Sequence, residues 1–319
     1  MNYLSQLESS HSPRIDHFVL DKPIGRGGMS DVWAARDLDS GKCVALKLVT
    51  RGGVTTQSIR RYFRNEVRFL LRLRHPCVLD FYDCGQLDAP IVTRSGVEYA
   101  ERTPYLVVEY VQGRSLRARC GAMPWRQLRS VLFQLLGALA HIHMHNIIHK
   151  DIKPDNLLLD ERTDRIRLCD FGIAQTMMQL DNDPRCISAG SLRYMPPEQL
   201  TGDWRAVGPW TDLYSVGTLA YALATGAPPF RGTYHEIAQG HLRRDPPAMH
   251  AVEPVPEGFE LWVRKLLRKR TECRPASAAD AARDLARLPS HLESHVVSSG
   301  RRAADPLSPL PSFCLASDG

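Results

Sequence analysis

The chain lacks the long apolar run that a membrane-spanning helix requires. None of its 319 residues lies in an uninterrupted apolar stretch of the ~18 residues that crossing a bilayer takes. Its first 16 residues contain no basic region followed by an apolar one, so they do not resemble a secretory signal. We therefore expect no membrane partner for this chain.

Paired cysteines and a strong charge imbalance are also missing. The eight cysteines form no CxxC pair and no zinc-binding spacing. Such scattered thiols are typical of reduced, packed side chains, which favours a cytoplasmic location. The 41 basic residues exceed the 35 acidic ones by only 6, and the basic runs are short. We therefore expect no nucleic-acid partner.

The composition is that of a folded protein with a substantial core. Hydrophobic residues make up 43% of the chain and charged residues 24%, which excludes a disordered or fibrous protein. Short β-rich runs separated by turn residues predict a strand meander over 18–49, with further strands at 78–84 and 105–111 around an extended hairpin loop.

Helical spacing of apolar residues marks the remaining elements. One helix is predicted at 57–73, and the patterns after residue 113 predict five more at 125–145, 212–225, 237–242, 259–269 and 277–288. A small β-rich part followed by a larger helical part predicts an α+β, two-lobed fold. Residues 1–17 are expected to be a flexible lead, and the Ser/Pro-rich residues 289–319 a disordered tail.

Glycines are concentrated in a turn between the first two predicted strands. Glycine lets the backbone approach an anion closely, so that amide groups can point at phosphate oxygens. An ordinary glycine turn explains the pattern about equally well. A dinucleotide-binding site is not indicated, because that motif needs a following helix and here a strand follows. The turn consists of Ile24, Gly25, Arg26, Gly27, Gly28, Met29, Ser30, Asp31 and Val32.

A lysine at the end of an apolar strand is a second unusual feature. Lys47 follows Val44-Ala45-Leu46, and its ammonium needs a partner if the strand is buried. Glu66, in the predicted helix at 57–73, is a suitable counter-charge. The alternative is a surface ion pair of little energetic value.

Two short segments carry the strongest signal. They are His149-Lys150-Asp151-Ile152-Lys153-Pro154-Asp155-Asn156 and Asp170-Phe171-Gly172. The glycine turn, Lys47 and these two segments follow one another along the chain. In this arrangement the chain resembles the eukaryotic-type (Hanks-type) serine/threonine protein kinases. The Gly-Gly-Met-Ser loop and the compact helical part are similar to those of soluble bacterial members of this family. It implies a bilobal kinase domain over 18–288, with the smaller lobe at about 18–111 and the larger at about 112–288.

The resemblance implies a role for each charged residue. Lys47, held by Glu66, would neutralise the α- and β-phosphates of ATP. Asp151 would accept the proton of a serine or threonine hydroxyl, and Lys153 would meet the γ-phosphate. Asn156 and Asp170 would bind Mg²⁺, with Mn²⁺ as an alternative.

The resemblance also places the adenine between the two lobes. Val32 and Ala45 would lie above the ring and Leu158 below it, and the segment from Glu109 to Val111 would offer backbone hydrogen bonds. The implied ATP-binding set is therefore the glycine turn from Ile24 to Val32 with Ala45, Lys47, Glu66, Glu109, Val111 and Leu158.

Four further positions have structural roles by the same resemblance. Asp212 would brace the loop at His149, although a helix cap is the alternative explanation. Glu198 would pair with Arg274.

Four residues depart from the usual pattern without removing a phosphate, metal or base group: Ser30, Lys150, Ser191 and Pro196. Because Lys150 replaces an arginine, it cannot make a planar fork to a phosphorylated loop. Control by loop phosphorylation therefore stays open. Thr176 and Ser188 are candidate autophosphorylation sites, with Ser188 preferred.

Partners and alternatives follow from the same comparison. Protein substrates with Ser/Thr acceptors are implied, together with a cognate protein phosphatase. Arg114, Arg117 and Arg119 favour acidic peptides, unless they are simply a solvated helix face. The alternatives are a pseudokinase scaffold, against which the complete charged set argues, and a small-molecule phosphotransferase, which the full DIKPDN segment disfavours.

Overall fold

The amino-terminal part of the chain forms an antiparallel sheet, as its alternating apolar residues predict. The computed structural model describes residues 13–26, 30–49, 73–93, 96–170 and 189–290. The strands of this part are β1 (Arg14–Ile15), β2 (Phe18–Arg26), β3 (Ser30–Asp37), β4 (Cys43–Val49), β5 (Phe81–Gln86), β6 (Ile91–Val92), β7 (Glu98–Tyr99) and β8 (Pro104–Glu109). Six of them form one sheet in the order β1-β2-β3-β4-β8-β5, and β6 pairs with β7 in a separate hairpin.

The pleat of the sheet separates an outer face from a face toward the helical part. Trp33 and Leu46 pack in an outer apolar core, whereas Val32 and Ala45 pack in the cluster that continues into the helical part. Lys47 is the partner of Val32 in the register of β3 with β4. Because side chains alternate along a strand, Lys47 shares the inner face with Ala45.

Several predicted boundaries in this part differ from the structure. Ile15 pairs with Phe18 and is buried, so the end of the expected lead-in belongs to the sheet. The strand predicted at 78–84 begins at Phe81, because Val78 instead makes a parallel bridge with Leu168. The strand predicted at 105–111 spans Pro104–Glu109. The helix predicted at 57–73 lies outside the described residues, apart from its last residue.

The carboxy-terminal part is mainly helical. Its small sheet has the order β11 (Arg165–Leu168), β10 (Leu157–Asp160) and β9 (Gly113–Ser115), and it packs beside the first helix. Its elements are β9 (Gly113–Ser115), α1 (Trp125–Met144), β10 (Leu157–Asp160), β11 (Arg165–Leu168), α2 (Ala189–Leu192), α3 (Pro197–Leu200), α4 (Pro209–Thr225), α5 (Tyr234–Arg243), α6 (Phe259–Leu266) and α7 (Ala278–Ala286), with short 3₁₀ turns at Leu116–Arg119, Pro154–Asn156, Trp204–Ala206 and Thr271–Cys273.

Helix α4 is the centre of this part. It is buried from Thr211 to Ala224, which explains why its sequence is apolar on all sides rather than amphipathic. A Cβ on Gly217 would lie 2.8 Å from the Leu266 Cβ, so glycine is required for the close approach of α6. The helix ends at Gly226, whose φ of 89° is the left-handed conformation typical of a helix terminus.

An ion pair fixes the short helix α3 to the end of α6. The Arg274 guanidinium donates to both carboxylate oxygens of Glu198, at 2.7 and 2.9 Å. It also donates to the carbonyl oxygens of Arg268 and Lys269. The helix predicted at 259–269 ends at Leu266, and the segment that follows it presents these carbonyls to Arg274.

The α+β, two-lobed architecture expected from the sequence is confirmed. The other helix ends differ from prediction by a few residues, as is usual for frayed termini. Trp125 donates to the carbonyl oxygen of Pro289, so the first residue of the expected tail contacts the larger lobe. Among the described helices, none is both long enough and apolar enough to span a membrane.

The Glu198–Arg274 pair generates a stability prediction. In the Glu198→Gln variant the Arg274 charge, whose side chain is 0% exposed, loses its counter-charge. We expect the free energy of unfolding in urea to fall by about 3–5 kcal/mol. Glu272→Gln is the matched control, because it breaks an exposed pair with Arg270 and should change the stability very little. Equal losses in the two variants would contradict the assignment.

Candidate active site

The segment from His149 to Asn156 brings three polar side chains together between α1 and β10. The Lys153 ammonium lies 2.6 Å from the Asp151 Oδ2. The Asn156 Nδ2 donates to the same oxygen at 2.9 Å and to the Asp151 carbonyl at 2.8 Å. Two donors from the same loop therefore fix the orientation of the Asp151 carboxylate.

A buried carboxylate from α4 holds this loop from below. Asp212 accepts hydrogen bonds from the backbone N–H groups of His149 and Lys150, both at 2.8 Å. His143, on α1, donates its Nε2–H to Asp212 at 2.8 Å. Burial alone would raise the pKa of Asp212, but the hydrogen bonds from the His143 side chain and the His149 backbone hold it below its ordinary value.

The His149 ring is fixed in one tautomer by its two neighbours. Its Nε2 lies 3.0 Å from the Cys169 carbonyl oxygen, which can only accept, so Nε2 carries the proton. Its Nδ1 accepts from the Asp151 backbone N–H at 3.3 Å. Because burial lowers the pKa of His149, the ring is neutral. It links the Asp151 loop to the residue before Asp170.

Lys150 holds a strained backbone conformation next to the candidate base. Its φ is 69°, in the left-handed region that non-glycine residues rarely adopt. Its N–H is bound by Asp212, and its carbonyl oxygen accepts from the Gln199 Nε2 at 3.1 Å. These two contacts offset the backbone strain, as is common at functional sites.

Lys47 and Asp170 meet across the cleft between the lobes. The Lys47 ammonium lies 2.5 Å from the Asp170 Oδ1. Burial alone would lower the pKa of Lys47, but the Asp170 charge raises it above the ordinary value. Burial would likewise raise the pKa of Asp170, yet Lys47 lowers it, so both groups are charged. The expected partner Glu66 lies outside the described residues.

The oxygen atoms at the cleft suit a hard divalent cation. The Asp170 side chain is 44% exposed, so it can bind a ligand in addition to Lys47. Both Asn156 side-chain hydrogen bonds within the described part of the chain use Nδ2, which leaves the amide oxygen as the candidate ligand atom. Carboxylate and amide oxygens are the donors that Mg²⁺ prefers.

The apolar residues expected around the adenine lie in one cluster. Ala45 is buried there, and Val32, Leu158 and Val111 pack against it while partly exposed. The Glu109 N–H donates to the Asp80 carbonyl at 2.8 Å, so it cannot also bind a nucleotide. The backbone contacts predicted for the other groups of the segment from Glu109 to Val111 stay a prediction.

The glycine turn is described on its two strands only. Ile24, Gly25, Arg26, Ser30 and Asp31 lie on β2 and β3, whereas Gly27, Gly28 and Met29 lie outside the described residues. Arg26 and Asp31 are partners in the strand register, and the Arg26 Nε lies 3.4 Å from the Asp31 Oδ1.

Helix α2 contacts the loop that carries Asp151. Ser191 accepts a hydrogen bond from Lys153 at 2.8 Å, so one ammonium contacts both Ser191 and Asp151. Ser215, on α4, donates to the Tyr194 carbonyl at 2.8 Å and holds the following turn. The candidate phosphorylation sites Thr176 and Ser188 lie outside the described residues.

Sequence reasoning missed two residues that hold the loop. His143 is one of three histidines in the run His-Ile-His-Met-His at the end of α1, and nothing in the run marks it. Gln199 follows Glu198 and has no distinguishing pattern of its own. Both become visible only when α1, α3 and α4 are placed in space, because their partners are distant in sequence.

Comparisons with known proteins agree with this geometry. A family profile described as "Protein kinase domain" matches residues 18–285. The chain is 34% identical over 280 residues to the serine/threonine-protein kinase PknB of Mycobacterium tuberculosis H37Rv, covering 86% of this chain and 43% of that protein. It is 32% identical over 291 residues to the probable serine/threonine-protein kinase PknB of Corynebacterium glutamicum, covering 88% of this chain and 43% of that protein.

A solved structure is also similar in fold. The crystal structure of the Mycobacterium tuberculosis PknI kinase domain superimposes with a TM-score of 0.66 at 22% identity, covering 86% of this chain and 97% of that one. The chain spans less than half the length of the curated relatives that it matches.

The lowered pKa of Asp212 gives a pH-dependent stability prediction. Its carboxylate contributes stability fully above the unfolded pKa of 3.8, and this contribution is lost as the pH falls through the lower folded value. Asp212→Asn removes it. We expect the difference in unfolding free energy between the original protein and the variant to be large at pH 7 and to shrink below about pH 4.

Urea denaturation at pH 7, 5, 4 and 3 measures this difference. The exposed Asp203→Asn is the control, and its effect should stay within about 0.5 kcal/mol. A difference for Asp212→Asn that is the same at every pH would show that its charged form does not stabilise the fold.

Proposed function

The chain belongs to the protein kinase family, and we propose that it transfers the γ-phosphate of ATP to serine and threonine hydroxyls of protein substrates. The observation that carries the proposal is the Asp151 carboxylate, which Lys153 and Asn156 orient in a loop fixed by Asp212. The serine/threonine-protein kinases among its relatives support the acceptor class.

Each group in the site has a task that suits phosphoryl transfer. Asp151 orients the acceptor hydroxyl and takes its proton, while Lys153 stabilises the negative charge that develops on the transferred group. Ser191, which shares Lys153 with Asp151, positions the ammonium. Lys47 offers its charge to the nucleotide phosphates. The reaction needs little covalent chemistry from the protein, so positioning and charge are decisive.

Asp170 and Asn156 would hold Mg²⁺, or Mn²⁺ in its place. The ion would supply positive charge that neutralises the phosphate oxygens of bound ATP. The Lys47 ammonium would then contact both the Asp170 carboxylate and a phosphate group. The Asn156 amide nitrogen keeps Asp151 oriented whichever ion is bound, because its two bonds use the other end of the amide.

The proposal extends to partners and location. Protein substrates with Ser/Thr acceptors and a cognate protein phosphatase would set the level of phosphorylation. The small charge excess argues against a nucleic-acid partner, and the lack of a long apolar run argues against a membrane partner. The scattered cysteines, which form no CxxC pair, favour the cytoplasm. Autophosphorylation at Ser188 or Thr176 stays part of the proposal.

The catalytic roles predict which changes abolish transfer. Lys47→Met, Asp151→Asn and Asp170→Asn should each lower the rate of phosphate transfer from labelled ATP by about a thousandfold or more, because each removes a charge that positions a reacting group. Asp284→Asn, which breaks a pair with Lys265 in the larger lobe, is the control and should keep full activity.

The same assay separates the alternatives. A general protein substrate and a set of small alcohols are offered together, and the labelled amino acids are identified after hydrolysis. Phosphoserine or phosphothreonine is the expected product. Label on the small molecules alone would identify a small-molecule phosphotransferase. If the protein binds ATP but no product is labelled, it is a pseudokinase. Near-normal transfer by Asp151→Asn would refute its role as base.

An ion pair near the loop suggests a preference among peptides. The Arg117 guanidinium lies 2.9 Å from the Asp155 carboxylate, one residue before Asn156. Asp155 already pairs with a positive charge of the protein. A basic residue of a bound peptide would therefore gain little binding energy by approaching it. Arg114 is 84% exposed and lies 3.9 Å from Glu161, farther along the same rim.

Removing Arg117 should therefore change peptide selection. We expect Arg117→Ala to raise the relative kcat/KM for peptides with arginine near the acceptor by up to about fivefold, since an exposed pair is worth about 1 kcal/mol. Arg114→Ala is the control and should give a smaller change. A peptide array measures both variants, and an arginine-selective profile for the original protein would contradict the proposed preference.

A further inference from the structure

A hairpin inserted between β5 and β8 is firmly attached to the outer face of the main sheet. The hairpin segment, described at residues 87–93 and 96–103, is closed by backbone bonds from the Leu87 N–H to the Thr103 carbonyl at 3.0 Å and from the Arg102 N–H to the Leu87 carbonyl at 2.8 Å. Leu87 and Tyr99 are buried in the outer apolar core. The segment is therefore part of the packed lobe.

The hairpin segment places the Tyr99 hydroxyl inside this core. It donates to the Asp31 Oδ2 at 2.8 Å and accepts from the Trp33 Nε1 at 3.0 Å. Tyr99 is 3% exposed and Asp31 is 8% exposed. A buried carboxylate without donors is costly, so this hydroxyl determines where Asp31 can lie.

Asp31 lies at the base of the glycine turn. Its strand partner is Arg26, which also approaches its carboxylate at 3.4 Å. The next residue, Val32, is on the opposite face of β3, toward the cleft, in register with Lys47. A displacement of Asp31 would therefore also move its strand partner Arg26 and the next residue, Val32, which would cover the adenine.

We propose that Tyr99 is a positioning residue for the nucleotide, through which the hairpin segment fixes the base of the glycine turn. The contact chain runs from Tyr99 to Asp31 and then to Arg26 on the other strand. The proposal rests on the proposed function in that the nucleotide is taken to be ATP. Among the described residues, Tyr99 packs in the outer apolar core rather than in the cluster that faces the cleft.

The hydroxyl keeps its role as donor over the working pH range. Burial raises the pKa of Tyr99 to about 12, so the hydroxyl stays protonated at neutral pH. Trp33 has an indole N–H that can only donate, which orients the hydroxyl proton toward Asp31.

The Tyr99→Phe variant tests the hydroxyl without emptying the core. We expect KM for ATP to rise about three- to tenfold, which is the effect of losing one buried hydrogen bond, while kcat stays within about twofold. Tyr105→Phe is the matched control, because Tyr105 is buried in the same core and has no hydrogen bond to its hydroxyl among the described residues. Its KM should not change.

Variants of Asp31 test the contact chain. Asp31→Asn keeps an acceptor for Tyr99 and should retain more ATP affinity than Asp31→Ala. If Tyr99 acts through Asp31, Tyr99→Phe should add nothing to the loss already seen in Asp31→Ala. Additive losses in the double variant would show that Tyr99 acts by another route.

Hydrogen exchange on the unliganded full chain gives a readout that needs no activity. Peptides covering residues 26–32 should exchange at least about threefold faster in Tyr99→Phe than in Tyr105→Phe, because opening of this strand end costs less free energy. Equal exchange together with an unchanged KM would overturn the proposal. A protein that binds ATP without transferring phosphate would refute the proposed function, while exchange and ATP affinity would still decide the role of Tyr99.

Discussion

One buried carboxylate determines the geometry of the catalytic loop. Asp212 lies on the most deeply buried helix of the larger lobe and accepts three hydrogen bonds, from His149, Lys150 and His143. The loop carries a backbone residue at φ 69° beside the candidate base, a conformation that would relax without external contacts. Because α4 is buried in the larger lobe, its residue Asp212 has a fixed position, and the loop that it binds is fixed with it. Asp151, Lys153 and Asn156 can then be placed by short local bonds.

Burial also determines how strongly the other charged groups fix the structure. Arg274 and Glu198 are both almost completely buried and bound at two points, so their pair fixes α3, which in turn supplies Gln199 to the Lys150 carbonyl. The exposed pairs, such as Arg270 with Glu272, contribute little to the stability of the fold. Lys47 and Asp170 are intermediate, because their pair lies at the open cleft where a phosphate or a metal ion can bind them.

The sequence predicted the parts of this site that are close together in the chain or that carry an unusual residue type. A lysine ending an apolar strand and a cluster of polar groups at 149–156 could be recognised, as could the two-lobed division into strands and helices. The contact of Lys47 with Asp170 could not be derived from spacing. His143, Gln199 and Tyr99 are ordinary residues whose importance depends on packing between distant elements. The start of β5 was misplaced because Val78 pairs with Leu168, which is 90 residues farther along the chain.

The most direct test of this account measures ATP affinity and phosphate transfer separately in Asp212→Asn. Asparagine cannot accept all three hydrogen bonds, so the loop should lose its geometry while the Lys47 side of the cleft is kept. Under conditions in which the variant is folded, we expect kcat to fall by about a hundredfold or more and the Kd for ATP to stay within about threefold. An unchanged kcat would contradict the central role of Asp212. An equal loss of ATP affinity would show that the carboxylate supports the whole cleft rather than the loop.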